Sequence, residues 1–245
     1  MSERSLPSDP ELTRLARTPA GALPRRLARL HAALAEDARV ELELPARLDE
    51  AHVHELLEGA GFAPLAIARR GPAVEVRARR CVALPDYLRP RLALLVCGLN
   101  PSLYSAQTGI PFGRPGNRFW PAARSAGLIE EERAPFAALA RGVGFTDLCK
   151  RPTRSADELA GAEYAAGLER LARLAQRYRP RAICLVGLDG WRRCVERRAV
   201  PGWLAEGVGD RPVYLMPSTS GRNAHSSLAS LAAHLRKAAG SLAFR

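Results

Sequence analysis

The chain has 245 residues, which is enough for one α/β domain or for one domain with a small appendage. Hydrophobic residues make up 47% of it, which excludes disorder as the default state, and no apolar run approaches the roughly 20 residues that span a bilayer. The 37 Lys and Arg residues against 25 Asp and Glu give a net charge of +12, which makes nucleic acid the leading candidate partner. The charge alone leaves this open, because all of these basic residues except Lys150 and Lys237 are Arg, and an Arg- and Ala-rich chain also reflects a GC-rich genome.

The cysteines give no sign of a metal site. None of the five forms a C-x-x-C pair, so we expect no zinc ribbon or iron–sulfur cluster. We also expect no other metal and no cofactor. Cys97 and Cys184 lie in apolar runs and are expected to be buried thiols. The first residues, MSERSLPSDPEL, lack the apolar core of a secretory signal, so we expect a reducing bacterial cytoplasm and association with the nucleoid.

The first third of the chain predicts a small unit that alternates strands and helices. Leucines recur at helical spacing from Leu23 to Leu34. RVELELP then predicts a half-buried strand, and Asp49 is expected to cap a helix that stops at Gly59 and Gly61. APLAIARR and AVEVRARR, separated by Gly-Pro, predict a hairpin.

After this unit the pattern changes to buried strands alternating with helices. RLALLVCGL, AICLVGL and PVYLM are apolar runs typical of parallel strands, and RFWPAARSAGL, GAEYAAGLERLARLAQRY and LAAHLRKAA predict helices. We predict an α/β domain at residues 86–245, with a three-layer, mostly parallel sheet flanked by helices, and an accessory α+β region at residues 1–85. Ligands bind beyond the carboxyl ends of such strands, where the loops after Leu99 and Met216 lie.

Those two loops carry the motifs that point to a function. They read Gly98-Leu99-Asn100-Pro101-Ser102, then Pro115-Gly116-Asn117-Arg118-Phe119-Trp120, and Met216-Pro217-Ser218-Thr219-Ser220-Gly221-Arg222. With the stretch GFTDLCKRPTRSADEL between them, they resemble, in order and spacing, the mismatch-specific uracil/thymine DNA glycosylases of the uracil-DNA glycosylase superfamily. The resemblance covers about residues 88–240.

The resemblance implies a fold and a reaction. It implies the uracil-DNA glycosylase-like fold and a monofunctional glycosylase, expected to be a monomer, that flips a mismatched or damaged base out of duplex DNA. The enzyme then hydrolyses the N-glycosidic bond and so initiates base excision repair. Uracil is the expected substrate, and thymine, ethenocytosine, hypoxanthine and xanthine remain open.

The first-loop roles follow from the same resemblance. Asn100 resembles the residue that positions the attacking water; its neutral amide orients a water but cannot take its proton, which predicts a slow, selective enzyme. Phe112 resembles the aromatic residue that stacks on the flipped base, and the Leu99 backbone is expected to contact the base edge. Met216 occupies the second-loop position where fast relatives carry His, and we group it with the base-binding residues.

The remaining assigned residues contact DNA or the water. Ser218 and Ser220 resemble phosphate clamps, and Arg222 resembles the wedge that fills the space left by the flipped nucleotide. Thr146 resembles a second hydrogen-bond partner of the water. Asp147 is either a carboxylate that raises activity or a structural group.

Two other functions compete with this assignment. A non-catalytic protein that binds damaged DNA would keep the fold, but it would need neither the water site nor the stacking ring. A nucleoside or nucleotide enzyme of the same layout is disfavoured because the chain has no G-x-G-x-x-G motif and no P-loop. Salt-sensitive retention on DNA would separate this enzyme from the other two.

Overall fold

The computed structural model describes residues 12–240. The segment expected not to be a secretory signal therefore lies almost wholly outside the described residues. Within residues 12–240, no helix is both long and apolar enough to cross a membrane.

The N-terminal unit is a four-stranded sheet covered by two helices. Its strands and helices are β1 (Leu12–Arg14), α1 (Leu23–Ala33), β2 (Arg39–Pro45), α2 (Glu50–Ala60), β3 (Phe62–Arg70) and β4 (Ala73–Arg80). The strand order is β1-β2-β4-β3, and β3 and β4 form the predicted antiparallel hairpin. Apolar side chains from both helices and from alternate positions of β2 and β4 form one hydrophobic cluster.

The helix boundaries in this unit follow from the capping residues. The Asp49 carboxylate accepts a 2.7 Å hydrogen bond from the backbone N–H of His52, as predicted for an N-terminal cap. Gly61 ends α2 with a φ of 81°. The prediction that Gly59 also ends the helix is wrong, because Gly59 lies inside α2, where other groups pack too closely for a side chain.

The second sheet confirms the predicted mixed α/β class. Its elements are β5 (Leu94–Gly98), α3 (Leu103–Thr108), α4 (Phe119–Ser125), α5 (Pro135–Ala140), β6 (Val143–Asp147), α6 (Gly161–Tyr178), β7 (Ala182–Val186), α7 (Leu188–Cys194), β8 (Gly202–Trp203), β9 (Val213–Met216) and α8 (Leu228–Ala239). The order is β6-β5-β7-β9-β8, with the first four strands parallel and β8 antiparallel at the edge.

This arrangement places all four parallel strands in the core. Every residue of β5, β6, β7 and β9 is buried, as expected for strands covered by helices. Sequence analysis missed β6, whose five residues include the polar pair Thr146 and Asp147. Since the four strands run in one direction, their carboxyl ends and the loops that follow them meet at one edge of the sheet.

Helix α6 packs very closely against the chain that follows β6. A Cβ atom on Gly167 would overlap the backbone carbonyl of Leu148, whereas a Cβ atom on Gly161, in the same helix, would meet no atom within 4 Å. We predict that Gly167→Ala lowers the free energy of unfolding by about 1–3 kcal/mol through overpacking. Gly161→Ala is the matched control and should leave stability unchanged or raise it by up to about 1 kcal/mol. Urea unfolding of both variants measures the difference, and equal effects would contradict the close packing.

Candidate active site

The loops at the carboxyl edge of the second sheet enclose a cavity of about 760 Å³. It is lined by residues from the loops that follow β5, β6, β7 and β9. Seven of the nine predicted site residues line it; they are Leu99, Asn100, Phe112, Asp147, Ser218, Ser220 and Arg222. Thr146 and Met216 do not.

The side chain of Asn100 is held in a single orientation. Its Nδ2 donates hydrogen bonds to the carbonyls of Pro101 and Arg151, at 3.2 and 3.1 Å, and to Oγ1 of Thr153 at 2.7 Å. A carbonyl oxygen only accepts hydrogen bonds, so the amide atom that faces these two carbonyls is the nitrogen. The other amide atom, Oδ1, has no hydrogen-bond donor within reach among residues 12–240, and Asn100 lines the cavity. The site therefore presents a fixed acceptor to whatever enters it.

Thr153 is a functional candidate that sequence analysis missed. It is buried, lines the same cavity, and accepts the shortest hydrogen bond of the Asn100 amide. Its backbone N–H also donates to the carbonyl of Pro101, at 3.2 Å. The signal was weak, because Thr153 lies 53 residues from Asn100 in an irregular loop and only the fold brings them together.

The ring of Phe112 has one face covered and lies at the cavity wall. It stacks on Phe119, with ring centroids 4.4 Å apart and planes 21° apart. The backbone of Phe112 is left-handed, with a φ of 53°, a conformation that non-glycine residues adopt rarely. Trp120 stabilises this turn by donating its indole N–H to the carbonyl of Pro111, at 2.7 Å. Phe112 is half-buried and lines the cavity, so part of its ring is accessible to a flat ligand.

Asp147 and Phe112 both line the cavity and both lie close to Gly98. A Cβ atom on Gly98 would overlap Oδ1 of Asp147 and would lie 3.5 Å from Cε1 of Phe112, so both groups approach the Cα of Gly98. Burial raises the pKa of the Asp147 carboxyl to about 6, with Asp86 acting in the same direction and Lys150 opposing it. A carboxyl with this pKa exchanges a proton readily near neutral pH, as a general acid or base must.

Two predicted site residues lie elsewhere. The Thr146 hydroxyl points away from the cavity and donates a 2.8 Å hydrogen bond to Oδ1 of buried Asp86, so it is not placed to hold a water in the site. Neighbouring residues of a strand point to opposite sides, so Thr146 and Asp147 cannot both face the cavity. The side chain of Met216 is fully buried in β9, and its carbonyl accepts a hydrogen bond from the N–H of Gly187. Neither its side chain nor its carbonyl is therefore placed to contact a base.

The loop after β9 presents hydroxyl groups and one free guanidinium to the cavity. Ser218 Oγ accepts from the N–H of Ser220 at 3.2 Å, and Ser220 Oγ accepts from the N–H of Arg222 at 3.3 Å. Each hydroxyl can still donate its own proton to an anion. The side chain of Arg222 is exposed and has no ion-pair partner among the described residues.

Leu99, in the loop after β5, also lines the cavity, while its carbonyl accepts a 2.9 Å hydrogen bond from the N–H of Cys149.

Arg118 joins the two motif loops and was also missed. Its backbone N–H donates to the carbonyl of Thr219 at 2.9 Å, and its guanidinium donates to the carbonyls of Ser226 and Asn223. The preceding residue, Asn117, stabilises the turn that leads into α4, because its Oδ1 accepts a 2.9 Å hydrogen bond from the N–H of Phe119. The first loop therefore sets the position of the second, although about 100 residues separate them.

A family model matches this part of the molecule. The model of the uracil DNA glycosylase superfamily matches residues 85–242, which is more than half of the chain and contains every residue of the cavity. The chain belongs to the uracil DNA glycosylase superfamily. Membership supports the fold described above, an N-glycosyl hydrolase activity of the uracil-DNA glycosylase type, and DNA as the partner.

The charge distribution agrees with superfamily membership. Residues 86–245 contain 24 Lys and Arg against 13 Asp and Glu, whereas residues 1–85 contain 13 against 12. Nearly all of the net positive charge therefore lies in the part that carries the superfamily match. Five arginines line the cavity; they are Arg114, Arg154, Arg192, Arg193 and Arg222. The lining also includes three aspartates, Asp147, Asp157 and Asp189, so basic side chains outnumber acidic ones, which favours binding of a phosphate backbone.

The buried carboxylate of Asp147 should lower the stability of the protein at neutral pH. The folded-state pKa of about 6 lies above the ordinary value of 3.8, so the stability that the protonated carboxyl contributes is lost as the pH rises from about 4 to about 6 and is absent above that range. We predict that Asp147→Asn raises the free energy of unfolding at pH 7.5 by up to about 3 kcal/mol. The gain should fade as the pH falls toward 4, where the wild-type carboxyl is protonated in the folded protein.

Asp157→Asn is the matched control, because Asp157 lines the same cavity but its side chain is 81% exposed. Urea unfolding at several pH values makes the comparison. A gain for Asp147→Asn that does not depend on pH would contradict the assigned cause.

Proposed function

We propose that this protein is a mismatch-specific DNA glycosylase that removes uracil from duplex DNA by base flipping and hydrolysis. The observation that carries the proposal is the shared cavity, whose lining includes both Asn100, with its unpaired Oδ1, and Phe112, whose ring is stacked on Phe119. A protein that only binds damaged DNA needs a stacking surface but not an acceptor fixed by three hydrogen bonds.

In this proposal the flipped base stacks on Phe112 and passes Leu99. A water donates a hydrogen bond to Oδ1 of Asn100 and attacks C1′ of the deoxyribose as the bond from C1′ to the base nitrogen breaks. The electron pair of that bond leaves with the base, and the oxocarbenium character at C1′ is lost as the water oxygen bonds to it. Asn100 cannot take the proton of the water, so the proton passes to the Asp147 carboxylate.

The second motif loop supplies the contacts with the DNA strand. The hydroxyls of Ser218 and Ser220 donate to phosphate oxygens, and the guanidinium of Arg222 enters the space that the flipped nucleotide leaves. A mispaired base is easier to unstack than a paired one. A slow enzyme that holds the strand through these contacts therefore selects mismatched uracil, and for the same reason thymine or ethenocytosine.

The proposed product is an abasic site with an uncut strand. Cutting the strand by Schiff-base chemistry requires an accessible amine. The Nζ of Lys150 is buried and hydrogen-bonded to Asp86, and the other lysine, Lys237, lies in α8 outside the residues that line the cavity. We propose a monomeric enzyme in which residues 1–85 form an accessory unit.

Base release from a G·U duplex tests this function directly. We predict that the wild-type protein releases uracil and that Asn100→Ala lowers the single-turnover rate by about 100-fold or more, because the water loses its fixed acceptor. Binding to the same duplex should change little. Gln107→Ala is the control, since Gln107 is exposed on α3 and does not line the cavity. Release at the normal rate by Asn100→Ala would refute the assigned role of the amide.

The proposed role of Asp147 as proton acceptor leads to a separate prediction about how the rate of base release depends on pH. If Asp147 takes the proton, the single-turnover rate rises as the pH increases through about 6 and levels off above pH 7, because only the ionised carboxylate accepts. Asp147→Asn should give a low rate that does not vary over this range. A rate that instead falls as the pH rises through 6 would show that the protonated carboxyl is required, for example as a donor to the base.

A further inference from the structure

Behind the active site lies a group of four buried polar side chains, the junction cluster: Asp86, Thr146, Lys150 and Arg170. The Asp86 carboxylate accepts hydrogen bonds from Thr146 Oγ1 at 2.8 Å, from Lys150 Nζ at 2.9 Å and from the Arg170 guanidinium. Asp86 and Arg170 are 3% and 4% exposed. Burial by itself would raise the pKa of Asp86, but attraction to Arg170 and Lys150 outweighs it and holds that pKa below its usual value. The cluster shares β6 with the active site, since Thr146 points into it and Asp147 points into the cavity.

The N-terminal unit completes this cluster. The backbone N–H of Asp86 donates a 2.6 Å hydrogen bond to the carbonyl of Gly59 in α2. A Cβ atom on Gly59 would lie 2.6 Å from Oδ2 of Asp86 and 2.9 Å from the Arg170 guanidinium, so α2 closes directly over the ion pair. Glu58 adds a carboxylate 3.7 Å from Nε of Arg170. Two buried cations face one buried carboxylate in the cluster, so the additional carboxylate of Glu58 stabilises it, while the Gly59 carbonyl holds the backbone of Asp86 in place.

Lys150 connects the cluster to the active-site loop. Its Nζ also donates to the carbonyl of Leu84 at 2.6 Å. The Lys150 side chain is therefore anchored at two points, Asp86 and Leu84, in the segment between β4 and β5. Lys150 belongs to the loop at residues 148–153, which follows β6. The next residue, Arg151, offers the carbonyl and Thr153 the hydroxyl that orient the Asn100 amide. The contacts thus run without a break from α2 through Asp86 and Lys150 to the group that holds Asn100.

We propose that Lys150 is a positioning residue for base hydrolysis, and that the N-terminal unit supports it by packing α2 against Asp86 rather than by binding DNA as a separate module. This rests on the proposed function. The nearly balanced charge of residues 1–85 agrees with it, because an independent DNA-binding module would carry an excess of basic residues. Lys150 touches neither base nor water and acts through the loop that orients Asn100.

Three variants of the full-length protein test this role. Lys150→Met removes the anchor, and Lys150→Arg keeps the charge and the donors. Glu55→Gln weakens the same junction at a different point, where Glu55 accepts hydrogen bonds from Arg173 and Arg177 of α6 without contacting the loop. The variants are to be compared by single-turnover uracil release with enzyme in excess, by affinity for a duplex with a non-cleavable uracil analogue, and by hydrogen exchange of the peptide that covers residues 148–153.

If Lys150 anchors the loop, the three variants should differ in release rate, loop exchange and pH profile. Lys150→Met should lower the release rate by about 10- to 100-fold, keep the affinity within about threefold, and speed exchange in the loop. Its rate profile should shift to higher pH, because Lys150 lowers the pKa of Asp147, while Asp86 and Arg170, the other charges that act on Asp147, stay in place. Lys150→Arg should restore most of the rate, and Glu55→Gln should lose stability while keeping both the rate and the pH profile.

Different failures have different meanings. A normal rate in Lys150→Met, or losses in Lys150→Met and Glu55→Gln that simply follow their stability, would overturn the positioning role. A wild-type protein that releases no base from any duplex would refute the proposed function instead. In that case the exchange comparison still decides whether Lys150 anchors the loop, since unchanged exchange in Lys150→Met would exclude it.

Discussion

The site depends on one constraint, which is that the Asn100 amide cannot rotate. Two carbonyls and the Thr153 hydroxyl engage its nitrogen, so its oxygen is left to face the cavity. A free amide would present either end to a water, whereas this one offers an acceptor in one place before any ligand arrives. Such preorganisation is how a neutral group contributes to catalysis, because no reorganisation is needed when charge develops.

The fold supplies this constraint by joining segments that are distant in the chain. Parallel strands bring four loops to one edge, and Arg118 then fixes the last loop against the first. Phe112 is held in a strained left-handed turn with one ring face covered by Phe119. Strain of this kind persists where the surroundings determine the conformation, which is typical of binding sites. Asp147 is likewise unfavourable for stability in its buried position, where burial raises its pKa to about 6.

The sequence predicted the parts of this structure that rest on local patterns. The apolar runs of β5, β7 and β9, the Asp49 cap and the hairpin were all predicted, and Asn100 and Phe112 were found through motif resemblance. Strand β6 was missed because its end is polar, and Thr146 was assigned to the site although strand alternation turns it to the opposite side from Asp147. Thr153, Arg118 and the junction cluster depend on long-range contacts that no spacing rule reveals.

The roles of Asn100, Phe112 and Arg222 are tested most directly by a crystal structure of the protein with a G·U duplex that carries a non-cleavable 2′-fluorinated deoxyuridine. We expect the uracil to lie outside the helix, stacked on Phe112, with a water between Oδ1 of Asn100 and C1′ and with Arg222 in the vacated stack. A uracil that remains paired in the helix, or an extruded base whose C1′ lies beyond the reach of a water bound to Asn100, would contradict these roles.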